Sequence, residues 1–428
     1  MIYVFFSVLG LVLYRGKYSI SRSLFVMLLV TSLGAYLVGR QTDLTHFSSF
    51  WHQLYAGVCL FVLFRSYRGY SNCSGIDISG INYPILLKLE RILRPAALFA
   101  IIVTVYVIYK ILPLLIAEQI NVQEYKNEGG AADIINNYVP HIFITLSNLF
   151  SVIGYFFLSM HFFHLSKGEM KQSMICLLLS LTIILNRLVG LSRSSMVEYL
   201  ITYGIMFFYF LPLFKNRLKI RYLVVVGAVL LVFGGIFSTI SESRFSAGFT
   251  KSSQGKAVLD EMDNPTLFSL VDYMSQWVEV NDRILDRYNS DNLTYGAYGF
   301  SGLTRWFSNK LDPSGKSRKE TERRVNASLG ELASSFGGLI ALLTVDFGYI
   351  GTFLFIFLFS LIIRNLSPPK NGAISFKTVL WLPVLANVTG LFWSGNNFII
   401  LMVELAVIYT LFWTILLKKK TKKVLLRA

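Results

Sequence analysis

The sequence predicts an all-α polytopic membrane protein with about eleven transmembrane helices and one large extracytoplasmic loop. Three observations lead to this fold class. The 428 residues are 54% hydrophobic and only 15% charged, with a mean hydropathy of +0.56. Apolar runs recur along almost the whole chain. Basic residues cluster in short loops on alternate sides of these runs, which is the positive-inside pattern of membrane proteins.

Each apolar run of about twenty residues can span a bilayer as one helix. The predicted spans are 2–14, 24–40, 50–64, 96–116, 140–164, 173–191, 196–214, 222–240, 348–363, 376–392 and 397–417. The first run has no basic leader and no small-residue cleavage site, so we expect it to be kept as structure. Because it is short, roughly 20 Å at the helical rise, ten spans with a cytoplasmic N-terminus stay open.

The sides of the loops follow from the C-terminal "KKKTKKVLLR", which the charge rule assigns to the cytoplasm. Counting back from it divides the chain into three parts. Residues 1–240 form an N-terminal bundle of about eight spans, 241–347 form one long extracytoplasmic loop, and 348–428 form the last helices and a basic tail.

The long loop contains two apolar patterns. In "SLVDYMSQWVEVNDRILDRY" (269–288), apolar residues recur at helical spacing, which predicts an amphipathic helix that packs over the bundle or lies at the interface. Its apolar positions are Leu270, Tyr273, Trp277, Val280 and Ile284. In "SSFGGLIALLTVDFGYIG" (334–351), residues 336–345 are predicted to be a re-entrant or docked element that leads into a helix beginning near Asp346.

The net charge of +16 does not indicate a nucleic-acid partner, because the basic residues follow the loops instead of forming one patch. Cys59 and Cys176 lie in apolar runs and Cys73 lies in a predicted cytoplasmic loop, so no disulfide framework is expected. With five histidines in the whole chain, the sequence also argues against a thiolate or imidazole metal site.

Two arginines stand out in "LNRLVGLSRSSM" (185–196), at the outer end of a strongly apolar run. Arg193 falls in the outer turn, and Arg187 lies about 9 Å deeper at the helical rise. Arg244 follows the eighth span at a similar predicted depth. The guanidinium fork matches phosphate oxygens, so these residues predict a clamp for a lipid phosphate or pyrophosphate. The alternatives are that Arg187 snorkels to the interface and that Arg193 is a plain positive turn.

These segments resemble a known family. "LSRSSM" (191–196), Arg244, and "VNASLGELASSF" followed by "VDFGYIG" (325–351) are similar to sequences of the Wzy-type polymerases of bacterial O-antigen and capsule repeat units. The resemblance implies a bundle like that of C-type glycosyltransferases in the bacterial inner membrane. Such an enzyme joins undecaprenyl-pyrophosphate-linked oligosaccharides on the periplasmic face, without a metal or cofactor, and often with a separate chain-length regulator.

By this resemblance, Arg193 and Arg244 would hold the leaving pyrophosphate, helped by Arg187 and by Arg305 in "GLTRWF". A carboxylate would accept the proton of the attacking sugar hydroxyl. The candidates in the outer loop are Glu242, Asp272, Glu279, Asp282, Glu331 and Asp346. Asp346 and Glu331 are favoured because they lie in the matching segments, although Asp346 is as well explained as a helix N-cap. Asn326, five residues before Glu331 in that segment, is a further candidate.

Two other functions fit the same composition. An O-antigen ligase would use the same lipid donor, but ligases typically carry a histidine in the large loop, and none occurs between residues 165 and 428. A lipid-oligosaccharide flippase would also have many spans and buried charges, and Lys110 in the fourth span keeps that alternative open. Against a flippase stand the long one-sided loop and the lack of an internal repeat of spans. His161 and His164 share a helix face on the predicted cytoplasmic side, where an interfacial role is expected.

Overall fold

A computed structural model describes most of the chain. The described residues are 2–14, 16, 18–37, 47–116, 135, 137–189, 194–215, 227, 231, 234–235, 271, 274–288, 293–294, 296, 337–369, 372–394 and 401–418. They are mostly α-helical, with one pair of short strands among them. This confirms the predicted all-α class.

The elements follow the predicted apolar runs. In the N-terminal half they are α1 Ile2–Leu13, α2 Ile20–Leu37, α3 Phe47–Arg65, β1 Gly75–Asp77, α4 Tyr83–Ile116, α5 His141–Ser151, α6 Ile153–Lys167, α7 Met170–Ser180, α8 Thr182–Val189 and α9 Ser194–Phe214. In the C-terminal half they are α10 Trp277–Asp286, α11 Leu339–Asn365, β2 Ala373–Ser375, α12 Phe376–Gly390 and α13 Leu401–Leu416.

Five helical segments of the described chain are long and apolar enough to cross a bilayer: Ile20–Leu37, Tyr83–Ile111, His141–Lys167, Met196–Phe214 and Leu339–Asn365. This agrees with a multi-pass membrane protein. The predicted boundaries need correction at several places. Helix α4 begins well before the predicted span 96–116, and the predicted spans 140–164 and 173–191 are each divided by a turn, at Val152 and Leu181. The predicted span 222–240 lies almost wholly outside the described residues.

One end of the bundle is built from predicted cytoplasmic loops, and we call it the strand end. There β1 pairs in parallel with β2, with Ile76 opposite Ile374. Isolated bridges join Ser19 to Ser71 and Ile81 to Lys418. Four connections that are distant in sequence therefore meet at one end, as expected if all of them lie on the same side of the membrane.

The opposite end, which we call the loop end, holds helix α10 of the long loop. Tyr3, at the start of α1, packs on Trp277 of α10 with ring centroids 4.8 Å apart. Tyr14, just after α1, stacks on Phe25 at 5.9 Å, and Ile20 at the start of α2 donates to the Tyr70 carbonyl at the strand end. Helix α1 therefore runs from the loop end to the strand end, antiparallel to α2.

Helix α11 corrects the predicted start near Asp346. Helical structure begins already at Leu339, and residues 339–346 are buried. The break lies at Gly348, whose φ of 67° and ψ of 177° are not helical. Such a backbone conformation is almost restricted to glycine, which explains why the helix bends at this residue. The predicted docked element 336–345 is thus largely the first, buried part of α11.

Hydroxyl groups join the helices near the strand end. The Tyr67 hydroxyl donates to the Leu385 carbonyl at 3.1 Å, and the Tyr70 hydroxyl donates to the Ile363 carbonyl at 3.0 Å. Both tyrosines are fully buried, so these bonds satisfy polar groups that would otherwise be costly inside the bundle. They connect the segment after α3 to both α11 and α12.

Candidate active site at the loop end

Helix α10 docks on the bundle through one apolar face, as its spacing predicts. Trp277 is 1% exposed and its ring meets Phe392 edge-on at 5.4 Å. Val280 and Ile284 are also buried and pack with Ala341 of α11. Of the two alternatives for this amphipathic helix, the structure has it packed over the bundle. Leu270 and Tyr273 lie outside the described residues.

Polar contacts fix the rotation of α10 on the bundle. The Asn281 side chain accepts a hydrogen bond from the Ala341 amide at 3.1 Å and donates to the Tyr3 hydroxyl at 3.3 Å. The amides of the first turn of a helix have no partner within that helix, so Asn281 satisfies one of them in α11. Leu339 finds its acceptor in the Phe392 carbonyl at 2.7 Å. The loop helix and the start of α11 are therefore held as one unit.

The next residue of α10, Asp282, contacts two polar residues of α3. Its Oδ2 accepts a hydrogen bond from the Ser49 hydroxyl at 2.7 Å. Its Oδ1 lies 3.4 Å from Nδ1 of His52, a residue of α3. The Asp282 side chain is 8% exposed and that of His52 is 14% exposed. The two atoms do not form a hydrogen bond in this geometry, and each is buried without another hydrogen-bond partner among the described residues. A carboxylate beside Nδ1 of an imidazole is one element of a carboxylate-oriented general base, whose Nε2 would meet a substrate hydroxyl.

Asp346, a favoured carboxylate of the sequence analysis, is completely buried. Its Oδ1 accepts a hydrogen bond from the Thr294 hydroxyl, and the Thr294 amide donates to the Val345 carbonyl at 3.3 Å. These bonds attach a segment of the long loop to α11, two residues before the bend at Gly348. Asp346 thus has a structural task at the bend, and its role in catalysis stays a prediction.

Three tyrosines pack around the bend and limit movement there. The Tyr55 hydroxyl donates to the Tyr349 carbonyl at 2.7 Å, and the Tyr349 hydroxyl donates to the Leu285 carbonyl at 3.1 Å. The ring of Tyr288 meets that of Tyr349 edge-on at 5.2 Å. Helices α3, α10 and α11 are linked by these contacts, and two of them, α3 and α10, carry His52 and Asp282.

The predicted arginine clamp is only partly within the described chain. Arg187 belongs to α8, although its side chain is not described. Arg193, Arg244, Arg305, Asn326 and Glu331 lie outside the described residues. Lys110, in the outer part of α4, has Nζ at 5.7 Å from the ring centroid of Tyr106 and 5.8 Å from that of Tyr109. Both rings are exposed on the surface of the bundle, which favours a Lys110 side chain that extends to the membrane interface over one that lies inside the bundle.

The pairing of His52 with Asp282 was missed by the sequence analysis, which named Asp282 among six carboxylates and did not consider His52. One signal was present. His52 lies at the start of the predicted span 50–64, on the same predicted side as the long loop. Sequence spacing gave no sign of the contact, because the two residues are 230 positions apart and meet only when α10 docks.

No model of a known protein family matches this chain, and neither a curated protein nor a solved structure matches it. The resemblance to repeat-unit polymerases therefore depends on the short segments of the sequence itself.

Proposed function

We propose that this protein polymerises undecaprenyl-pyrophosphate-linked oligosaccharide repeat units on the periplasmic face of the bacterial inner membrane. In this reaction, the growing glycan leaves its lipid pyrophosphate and is transferred to a hydroxyl of the next lipid-linked unit. The observation that carries the proposal is the pair of His52 and Asp282, which joins the long loop to the membrane bundle. The multi-pass helical architecture also supports it.

The proposed chemistry balances within this site. His52 accepts the proton of the attacking sugar hydroxyl at Nε2, while Asp282 positions its ring and stabilises the charge that develops on it. The hydroxyl oxygen forms the new bond to the anomeric carbon as the bond to the pyrophosphate oxygen breaks. The pyrophosphate leaves with that electron pair, and Arg193 and Arg244, with Arg187 and Arg305, would bind the negative charge. For Asp282 to orient the ring in this way, the 3.4 Å separation from Nδ1 has to shorten to hydrogen-bond length when substrate binds, as catalytic hydrogen bonds often do.

The packing of α1 supports the eleven-span topology over the ten-span alternative. Its first residues contact Trp277 at the loop end, and Tyr14 lies beside the start of α2 near the strand end. If the strand end is cytoplasmic, as its basic loops predict, the N-terminus and α10 are periplasmic. The candidate site then faces the compartment in which lipid-linked repeat units are joined.

The test is reconstitution of the purified protein in liposomes with an undecaprenyl-pyrophosphate repeat unit from its host, with products separated by length. We expect a ladder of added repeats that is lost in Arg193→Ala and Arg244→Ala. An unchanged single repeat, with binding of the lipid demonstrated, would overturn the proposal. Adding a lipid A acceptor then tests for the ligase, which His52 also favours because it supplies a histidine beside the long loop. Translocation of an unchanged unit would indicate the flippase.

A further inference from the structure

A second polar cluster lies at the strand end, away from the candidate active site. Glu90 of α4, His164 of α6 and Cys176 of α7 are 3%, 3% and 0% exposed. One ligand atom from each residue lies within 4.8 Å of the others. Near the cluster, Lys167 at the end of α6 donates to the hydroxyl of Tyr83, the first residue of α4, at 3.1 Å. Three helices therefore direct a carboxylate oxygen, an imidazole nitrogen and a thiol towards one buried point.

The chain turn between α6 and α7 builds part of this cluster. Gly168 has a φ of 79° and caps α6 in the left-handed conformation, which favours glycine. The turn directs the Glu169 amide to the His164 carbonyl at 2.9 Å. The Glu169 carboxylate in turn lies 2.5 Å from Nδ1 of His164. A proton on Nδ1 lets the imidazole donate to Glu169.

If the imidazole is neutral, a proton on Nδ1 leaves its other nitrogen facing a second carboxylate. With the proton on Nδ1, Nε2 of His164 carries a lone pair, and it faces Oε2 of Glu90 at 3.3 Å. Two acceptors so close together in a buried place repel each other unless a positive charge lies between them. Arg94 and the Cys176 thiol both donate to the other oxygen, Oε1, the thiol at 3.6 Å, and Arg94 also donates to Gln172 at 2.8 Å, so neither of them contacts Oε2.

We propose that Glu90, His164 and Cys176 bind a Zn²⁺ ion. Carboxylate, imidazole and thiolate together are ligands that Zn²⁺ accepts, and three protein ligands leave the fourth tetrahedral position to water. A carboxylate on the second nitrogen of a ligating histidine is the usual outer-shell partner, and Glu169 occupies that place. With a thiolate at Cys176, the dication and Arg94 balance the three anionic groups of the cluster.

Zn²⁺ binding has two consequences. The Cys176 thiol must release its proton to solvent, so affinity falls as the pH is lowered. The ion also joins α4, α6 and α7, and it stabilises the folded protein by mass action because the unfolded chain does not hold these ligands together. The competing occupant is a proton on Nε2 of His164, which would form an imidazolium between Glu90 and Glu169. That state is also neutral overall, so an experiment must distinguish the two.

The experiment measures metal content in the full-length protein, purified in detergent without chelator and then dialysed against Zn²⁺ or Co²⁺. We expect about one ion per chain, and with Co²⁺ a thiolate-to-metal charge-transfer band. Cys176→Ser should lose that band and His164→Gln should lose most of the bound metal. Matched controls are Cys73→Ser, a buried thiol at the same end that donates to the Gly75 carbonyl, and the exposed His141→Gln. Both should retain the metal.

A second readout is independent of variant folding. In the wild-type protein, a strong chelator should lower the midpoint of thermal unfolding, and Zn²⁺ should restore it. Less than a tenth of an ion per chain, no Co²⁺ band and no chelator shift, in protein that still unfolds cooperatively, would overturn the metal site. That result would indicate the protonated His164 instead. Neither outcome depends on glycan polymerisation, so the metal site and the proposed polymerase function are tested independently.

Discussion

Truncation of Trp277 should release helix α10 from the bundle. The side chain is 1% exposed and meets Tyr3 at 4.8 Å and Phe392 at 5.4 Å between ring centroids. Replacing a buried tryptophan by alanine costs about 3–5 kcal/mol, the two aromatic pairs favouring the upper half of that range. The indole Nε1 is buried without a hydrogen-bond partner among the described residues. Removing this unsatisfied donor abolishes a desolvation penalty of about 1–3 kcal/mol, which offsets part of the lost stability. The net loss is therefore about 1–4 kcal/mol.

This loss corresponds to an undocked population that is about five to about seven hundred times larger, since each 1.4 kcal/mol is about tenfold. Amide hydrogen exchange in lipid nanodiscs measures it directly, as a fall in protection across α10 in Trp277→Ala. The control is Arg283→Ala on the same helix. Arg283 is 58% exposed in its side chain and pairs with Glu279, an interaction worth about 0.3–0.5 kcal/mol. Equal protection of α10 in the two variants would refute the docking argument.

Three further predictions concern the loop end and the topology. Gly348→Ala should destabilise the protein by about 1–3 kcal/mol in thermal unfolding, because φ at position 348 is 67° and the new Cβ would lie 2.8 Å from the Tyr288 hydroxyl. Adding Tyr288→Phe should recover part of this lost stability. If it recovers none, the clash with the hydroxyl is excluded. Thr294→Val should cost about 1–3 kcal/mol by removing a hydrogen bond to a buried carboxylate, and an unchanged midpoint would contradict that bond. In intact cells, a membrane-impermeant thiol reagent should label Arg283→Cys, whereas Ser79→Cys at the strand end should react only after permeabilisation. The reverse pattern would invert the topology.

The helical architecture was largely predictable because it follows from local patterns. Apolar runs and loop charges located most helices, and the amphipathic spacing from Trp277 to Ile284 located the buried face of α10. The errors lie where backbone geometry departs from the pattern. Hydropathy does not distinguish one long helix from two joined by a turn, as at Val152, and it does not locate a bend that depends on a single glycine, as at Gly348.

The candidate site was less predictable because it depends on contacts between distant segments. The residues favoured for catalysis were chosen by their place in short motifs, whereas His52 and Asp282 are joined by the docking of α10 on α3. The same holds for the strand end, where His161 and His164 share one helix face in the sequence but have different partners. His161 contacts the Ser173 carbonyl at 2.9 Å, and His164 lies between two carboxylates.

The most direct test of the central claim compares Asp282→Asn with Asp286→Asn in the reconstituted polymerisation assay. Both residues lie on α10, but Asp282 faces His52 while Asp286 is exposed. Asparagine keeps the size of the side chain and can still accept from Ser49, so α10 should stay docked. We expect Asp282→Asn to slow the growth of the ladder about a hundredfold or more, the usual contribution of general acid–base catalysis, and Asp286→Asn to leave it unchanged. Ladders of equal rate and length in the two variants would contradict the assignment of His52 and Asp282 as the proton-accepting pair.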